Sequence, residues 1–227
     1  MPAPADRAGA VPQRAEGTRP AAAANFSSWC GQGRGRLRSR LPGQPRRHRR
    51  RWQVDHQDHV ELLRNGVERT GGAWADFGAG TGAFTLALAE LIGPGGEIYA
   101  IDKRASALRE MERAMHSRFP ATKVRCCVAD FTRPLDLPLL EGIVMANALH
   151  FQRDQEAVVR TLRSYLRPGG RVLVVEYNIA HGNFAVPHPV PFARWEELAR
   201  QAGFEHTELL ATRPSRFLRE IYSAATW

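Results

Sequence analysis

Lysine is nearly missing from this chain: Lys103 and Lys123 stand against thirty arginines. Cysteine is scarce as well, limited to Cys30 and the neighbours Cys126 and Cys127. An odd number with no repeated spacing excludes a disulfide framework and a paired-cysteine zinc site, and the reading is a reducing, cytoplasmic setting. No run of about 18 apolar residues occurs, so no helical membrane span is expected. No charged, then apolar, then small-residue secretory signal opens the chain. Acidic residues are also missing locally. Residues 1–52 hold twelve Arg against Asp6 and Glu16, a net +10, whereas residues 53–227 are close to neutral at −1. The overall +9 therefore belongs to the first segment and does not describe the remainder.

That first segment is rich in Pro, Gly, Ala and Arg and has no apolar periodicity. It cannot bury enough surface to offset its ordering entropy, so it reads as a disordered tail, residues 1–52, ahead of one domain, residues 53–227. The run "RRHRRR" would hold RNA, DNA or an anionic membrane by charge alone. The favoured reading is a solvated extension, as such runs usually are, and nucleic acid is not the favoured partner.

From Gln53 onward helical and extended patterns alternate. "DHQDHVELLRNGV" opens with Asp55 as a helix N-cap and Asp58 three residues on. "AWADFG", "GEIYAID", "KVRCCVAD" and "GIVMANAL" read as strands, and "PGG" reads as a turn into the strand "RVLVVEY". Between them "AFTLALAELIG", "ASALREMERAMHSRF" and "DQEAVVRTLRSYL" have helical spacing, as does the later "FARWEELARQAG". "HTELLAT" and "FLREIYSAAT" close the chain as strands with no helix between them, so they are expected to pair antiparallel. Strands apolar on both faces, separated by helices, describe an α/β fold: a doubly wound, mostly parallel seven-stranded sheet with helices on both faces. Cys126 and Cys127 are expected to be core residues of the third strand.

In such sheets ligands bind beyond the carboxyl ends of the strands, near the switch in strand order. The residues just after each strand are therefore the informative ones. After the first come Gly78, Gly80 and Gly82 in "DFGAGTG"; after the second, Asp102; after the third, Asp130 and Phe131. Asn147 to Phe151 follow the fourth, and Tyr177 and Asn178 follow the fifth. Asp102 stands where a carboxylate accepts hydrogen bonds from both hydroxyls of a ribose. Asp130 would accept an adenine amino proton, with Phe131 beside the ring. "GAGTGA" also fits the dinucleotide pattern G-x-G-x-x-A, which keeps NAD(P) in view. Against it, Asp76 would set a carboxylate near the bound group, which suits an ammonium or sulfonium and is awkward beside a pyrophosphate.

"DFGAGTG" resembles the first motif of the class I S-adenosyl-L-methionine-dependent methyltransferases. "YAID", "VAD" and "LRPGGRVLVVEY" are similar to that family's later motifs in order and spacing, over about residues 72–180. The resemblance implies a seven-stranded Rossmann-like sheet ending in an antiparallel hairpin, and S-adenosyl-L-methionine as cofactor. It implies the methionine moiety over Asp76, Gly78, Ala79, Gly80 and Gly82, ribose on Asp102 beside Lys103, and adenine between Asp130 and Phe131. Asn147 and Ala148 would line the floor by the sulfonium. "MANALHF" is closer to the small-molecule branch, including quinone-type enzymes, than to the Asn-Pro-Pro-aromatic signature of exocyclic-nitrogen methylation of nucleic acid.

The implied reaction is an in-line displacement at a methyl carbon, which needs alignment and dryness before charge stabilisation. Where the acceptor must lose a proton, His150 is the first candidate base. Tyr177, His181 and His188 are candidates for holding the acceptor, the two histidines within the loop "NIAHGNFAVPHPVPF". His56 and His59 share a helix face without further ligands, so no metal is expected. The expectation is thus methyl transfer to a small apolar or aromatic metabolite. Its rivals are an RNA-associated methyltransferase using the basic tail and a cofactor-binding protein without turnover.

Overall fold

The structure, a computed structural model, describes residues 55–215 and 218–227, and the expected tail, residues 1–52, lies outside them. The first helix, α1 (His56–Arg64), starts where its chemistry dictates. Asp55 accepts from the Asp58 backbone N–H and the Asp58 side chain accepts from that of Asp55, closing a capping box. Strand β1 (Gly72–Phe77) and helix α2 (Ala83–Ile92) follow, and Gly93, with φ of 71°, ends α2. Then come β2 (Gly96–Asp102), α3 (Ala105–Arg118), β3 (Lys123–Val128), β4 (Leu140–Ala146), a 3-10 turn at Leu149–Phe151 and α4 (Gln155–Ser164). The chain ends with β5 (Leu166–Tyr177), α5 (Phe192–Gln201), β6 (Thr207–Ser215) and β7 (Arg219–Thr226).

The sheet order is β3-β2-β1-β4-β5-β7-β6, and β7 runs antiparallel to both of its neighbours. The doubly wound, mostly parallel sheet with its closing hairpin is the architecture expected from the alternation of patterns. Strand order reverses between β1 and β4, so the carboxyl ends of those two strands flank the crevice where ligands bind in such sheets.

Apolar side chains divide between the two faces. Trp74 and Ile98 pack with Leu63 of α1, Leu88 of α2 and Met111 of α3, while Phe77, Val172 and Val174 pack with Val159 of α4 and Trp195 of α5. Gly142 of β4 stands opposite Trp74, and a Cβ there would come within 2.2 Å of the indole ring. The missing side chain is what lets the largest residue of β1 lie flat on the sheet. Trp195 is fully buried, with its Nε1–H donating to Thr226 Oγ1 at 3.0 Å.

Two local expectations change. "PGG" lies within β5: Leu166 already pairs with Leu140, and a register shift between Leu140 and Gly142 absorbs the extra residues. The predicted turn is thus a bulge. Cys126 and Cys127 are half-buried, each touching a different face of the core, because β3 is an edge strand. Burial still pushes both thiols above their ordinary pKa, the direction that disfavours the nucleophilic thiolate.

Candidate functional site

The loop after β1 is shaped by positions that exclude a side chain. Gly78 (φ 86°), Gly80 (φ 55°) and Gly82 (φ 90°) all adopt positive φ. A Cβ on Gly78 would lie 2.7 Å from Cβ of Ala148, and one on Gly82 would lie 2.2 Å from Cγ of Met111. The loop is thereby pressed between the end of β4 and α3. Its far side is tied to β2, where Asp102 Oδ2 accepts from the Gly80 N–H at 2.8 Å and Oδ1 from the Arg104 N–H at 2.8 Å.

Asp76 lies below this loop, 1% exposed, and accepts from the Thr85 hydroxyl of α2 at 2.6 Å. Burial raises its pKa to about 7, with the Thr85 bond pulling downward and nearby Asp102 pushing upward. Asp130 is in the opposite condition. Its bonds from the Thr132 hydroxyl and backbone, with Lys103 Nζ at 3.0 Å, hold it down at about 2.

Beyond these strand ends a cleft of about 400 Å³ is lined by Gly78, Asp102, Lys103, Arg104, Phe131, Asn147, Ala148, Phe151 and Gln152. A second cleft, of about 470 Å³, is lined by Asn147, His150, Phe151, Tyr177, Asn183, Ala185, Val186 and Leu218. The two share Asn147 and Phe151. Asn147 itself has φ of 50°, and its buried Oδ1 has no hydrogen-bond partner among the described residues. A buried, unpaired amide oxygen between two clefts marks a place where a ligand donor would restore a lost bond.

Residues 70–212 match the protein family described as a methyltransferase domain. The chain belongs to this family. The ubiquinone/menaquinone biosynthesis C-methyltransferase UbiE of Burkholderia mallei is 30% identical over 110 residues, 48% of this chain and 45% of that protein. The chain thus spans about half the length of the relatives it matches. Among solved structures, the YcgJ protein of Bacillus subtilis superposes with a TM-score of 0.60 at 12% identity, covering 75% of this chain and 98% of that one. CalO1, a methyltransferase in calicheamicin biosynthesis in its SAH-bound form, gives 0.58 at 22% identity, over 76% and 54% of the respective chains. At these identities the structures support the shared fold.

In this methyltransferase-domain chain, Gly78, Asp102, Lys103, Phe131, Asn147 and Ala148 come together on the first cleft. Ala79, Gly80 and Gly82 form the loop behind it, Asp76 lies beneath, and Asp130 stands beside Lys103. His150 and Tyr177 line the second cleft. His181 is exposed and His188 half-buried, neither on the wall of that cleft. His188 instead reaches His150 through its backbone, donating N–H to the His150 carbonyl at 3.0 Å. The loop's contribution to the wall is Asn183, Ala185 and Val186. Asn183 Oδ1 accepts from the N–H groups of both of those residues, a local turn whose only signal in the sequence is the Gly-Asn pair. His56 pairs with Glu90 at 2.7 Å, and His59 packs edge-on to Phe84 with ring centres 4.7 Å apart. Among the described residues no group of three or more metal-ligating side chains occurs, and no helix is long and apolar enough to cross a membrane.

Proposed function

We propose that the protein transfers a methyl group from S-adenosyl-L-methionine to a small acceptor with an apolar body. The observation that carries this reading is the meeting of the two clefts at Asn147 and Phe151. One cleft has a glycine loop and a strand-end carboxylate, and its neighbour is lined mainly by apolar groups. The SAH-bound state of CalO1 and the C-methyltransferase activity in UbiE's name support the choice of cofactor and reaction.

The residues present fit such a cofactor. Asp102 Oδ2, which accepts only from the Gly80 N–H, retains a lone pair for a ribose hydroxyl, while Oδ1 is met by both the backbone N–H and the Nε–H of Arg104. Phe131 gives an apolar wall for a purine, and the orphaned Asn147 Oδ1 accepts a donor. Asp76, in its ionised form, would supply negative charge toward an ammonium from beneath the loop, and the adenine amino group would share Asp130 with Lys103. When bound, the cofactor supplies an electrophilic methyl group on a sulfonium. The chain's own contribution is orientation and exclusion of water, the effects a displacement of this kind depends on. Val186 and the rings of Phe151 and Tyr177 keep the acceptor's body desolvated beside Asn147.

Calorimetry with S-adenosyl-L-methionine and with NADH tests the first half. Binding of the former alone is expected, and binding of NADH instead sinks the reading. Incubation with methyl-labelled cofactor and fractionated cell extract tests the second half, with label expected in an apolar small-molecule fraction. Label appearing in RNA or protein would assign the acceptor to another class.

A further inference from the structure

Methyl displacement by itself asks only for alignment, yet one residue on the wall of the acceptor cleft, His150, is backed by a buried carboxylate. His150, 2% exposed, sits on the 3-10 turn after β4, and Glu176, fully buried, is the penultimate residue of β5. Nδ1 of His150 lies 2.6 Å from Oε2 of Glu176. The other oxygen, Oε1, accepts from the backbone N–H groups of Leu149 and His150 at 3.1 and 3.2 Å. Three donors converge on one fully buried carboxylate, and such a group is costly to bury unless it is hydrogen-bonded in this way.

With the carboxylate accepting, the neutral ring carries its hydrogen on Nδ1, and Nε2 is the nitrogen that presents the lone pair. Nε2 has no protein partner among the described residues, and His150 forms part of the wall of the acceptor cleft beside Phe151 and Tyr177. Tyr177, with ring centres 6.2 Å from the imidazole, and Glu176 are the titratable side chains facing it. His188 meets it through the backbone alone, and Tyr222, opposite Glu176 on β7, is committed to the Val190 carbonyl at 2.8 Å.

The geometry points to a proton-accepting pair in which Glu176 is the positioning residue, serving an acceptor that has an apolar body and an ionisable hydroxyl. The inference rests on the methyl-transfer reading for what the second cleft holds. The hydroxyl's O–H bond breaks, its proton joins Nε2, and its electron pair stays on the oxygen as a phenolate or enolate. The resulting imidazolium faces the Glu176 carboxylate, which accepts from Nδ1 and from the two backbone N–H groups. A neutral amide at position 176 could not do the same. Its oxygen can serve the imidazole or the backbone donors, and its NH₂ group then confronts the other.

The test uses 4-nitrophenol, whose ionised form is coloured, and 4-nitroanisole, its methyl ether, titrated into the full chain without cofactor. The wild type is expected to bind the phenol at least tenfold more tightly than the ether, with the bound phenol ionised at a pH where the free probe is not. Glu176→Gln and His150→Asn are each expected to remove most of that preference and the colour change. Equal binding of phenol and ether by the wild type, binding of neither, or no colour change overturns the proposal without any variant having to fold. Retention of wild-type ionisation by a folded Glu176→Gln overturns the positioning role. A protein that ionises the probe but does not bind S-adenosyl-L-methionine in calorimetry sinks the methyl-transfer reading and leaves the pair standing.

Discussion

Gly80 donates its backbone N–H to Asp102 over 2.8 Å, joining the loop after β1 to the end of β2 by one side chain. The same carboxylate faces the cleft, so it organises the loop and would receive the ribose. Asp102→Ala removes a charged acceptor from both tasks. The affinity for S-adenosyl-L-methionine is expected to fall by about 1.5–3 kcal/mol, the range for hydrogen bonds to an ionised group. Isothermal calorimetry measures it, and unchanged affinity would refute the ribose assignment.

Gly78 combines a left-handed backbone with the nearest approach of the loop to β4. Its φ is 86°, and a Cβ would stand 2.7 Å from that of Ala148. Gly78→Ala is expected to lower stability by at least about 1 kcal/mol from backbone strain alone, and to weaken cofactor binding by pushing Ala148 into the cleft. Adding Ala148→Gly should relieve the clash and recover binding, while the backbone cost persists in the melting temperature. Recovery of neither would place the damage elsewhere in the loop.

How much of this could be read beforehand depends on how local its cause is. The Asp55–Asp58 capping box is written within four residues, and the structure forms it as spelled. The glycine loop is equally local, because three positive-φ positions after a strand leave few other conformations. The bulge at Pro168–Gly170 misleads because its turn chemistry is genuine, yet pairing of Leu166 with Leu140 continues the ladder around it. Cys126 and Cys127 mislead for a different reason: whether a strand is central or at an edge is decided by the other strands. The pairing of His150 with Glu176 spans 26 residues and rests on the β4–β5 register, so neither residue announces the other. In the loop after β5 the location was legible, but the wall-forming residues were set by the Asn183 turn, with histidine chemistry no guide to them.

Trp195 tests the packing of α5 on the sheet. It is fully buried, and its indole N–H donates to Thr226, which also shares a 3.0 Å hydrogen bond with Thr207. Trp195→Phe keeps an aromatic ring but leaves a gap and removes one donor from a buried cluster. A loss of about 1–3 kcal/mol in chemical denaturation is expected, with the denaturant slope unchanged. Trp195→Ala should cost more, about 3–5 kcal/mol. A neutral Trp195→Phe would mean that Thr226 is satisfied by Thr207 alone.

Asp76 is expected to make stability and S-adenosyl-L-methionine binding depend on pH in opposite senses. Burial lifts its pKa from the ordinary 3.8 to about 7. Between those values the folded protein holds a proton that the unfolded chain has released, so its contribution to stability declines as pH rises through that window and levels off above it. A tenfold difference in proton affinity between the folded and unfolded chain is worth about 1.4 kcal/mol, which makes the slope measurable. In Asp76→Asn the amide oxygen can still accept from Thr85, and the slope should vanish. The variant should match the wild type near pH 4 and exceed it in denaturant midpoint at pH 8. A cationic ammonium held above Asp76 would prefer the ionised carboxyl, so wild-type affinity for S-adenosyl-L-methionine should rise with pH up to about 7, with no such rise in Asp76→Asn. Parallel stability curves for the two proteins would mean that Asp76 is already ionised across the range. Parallel binding curves would mean that the ammonium is held elsewhere.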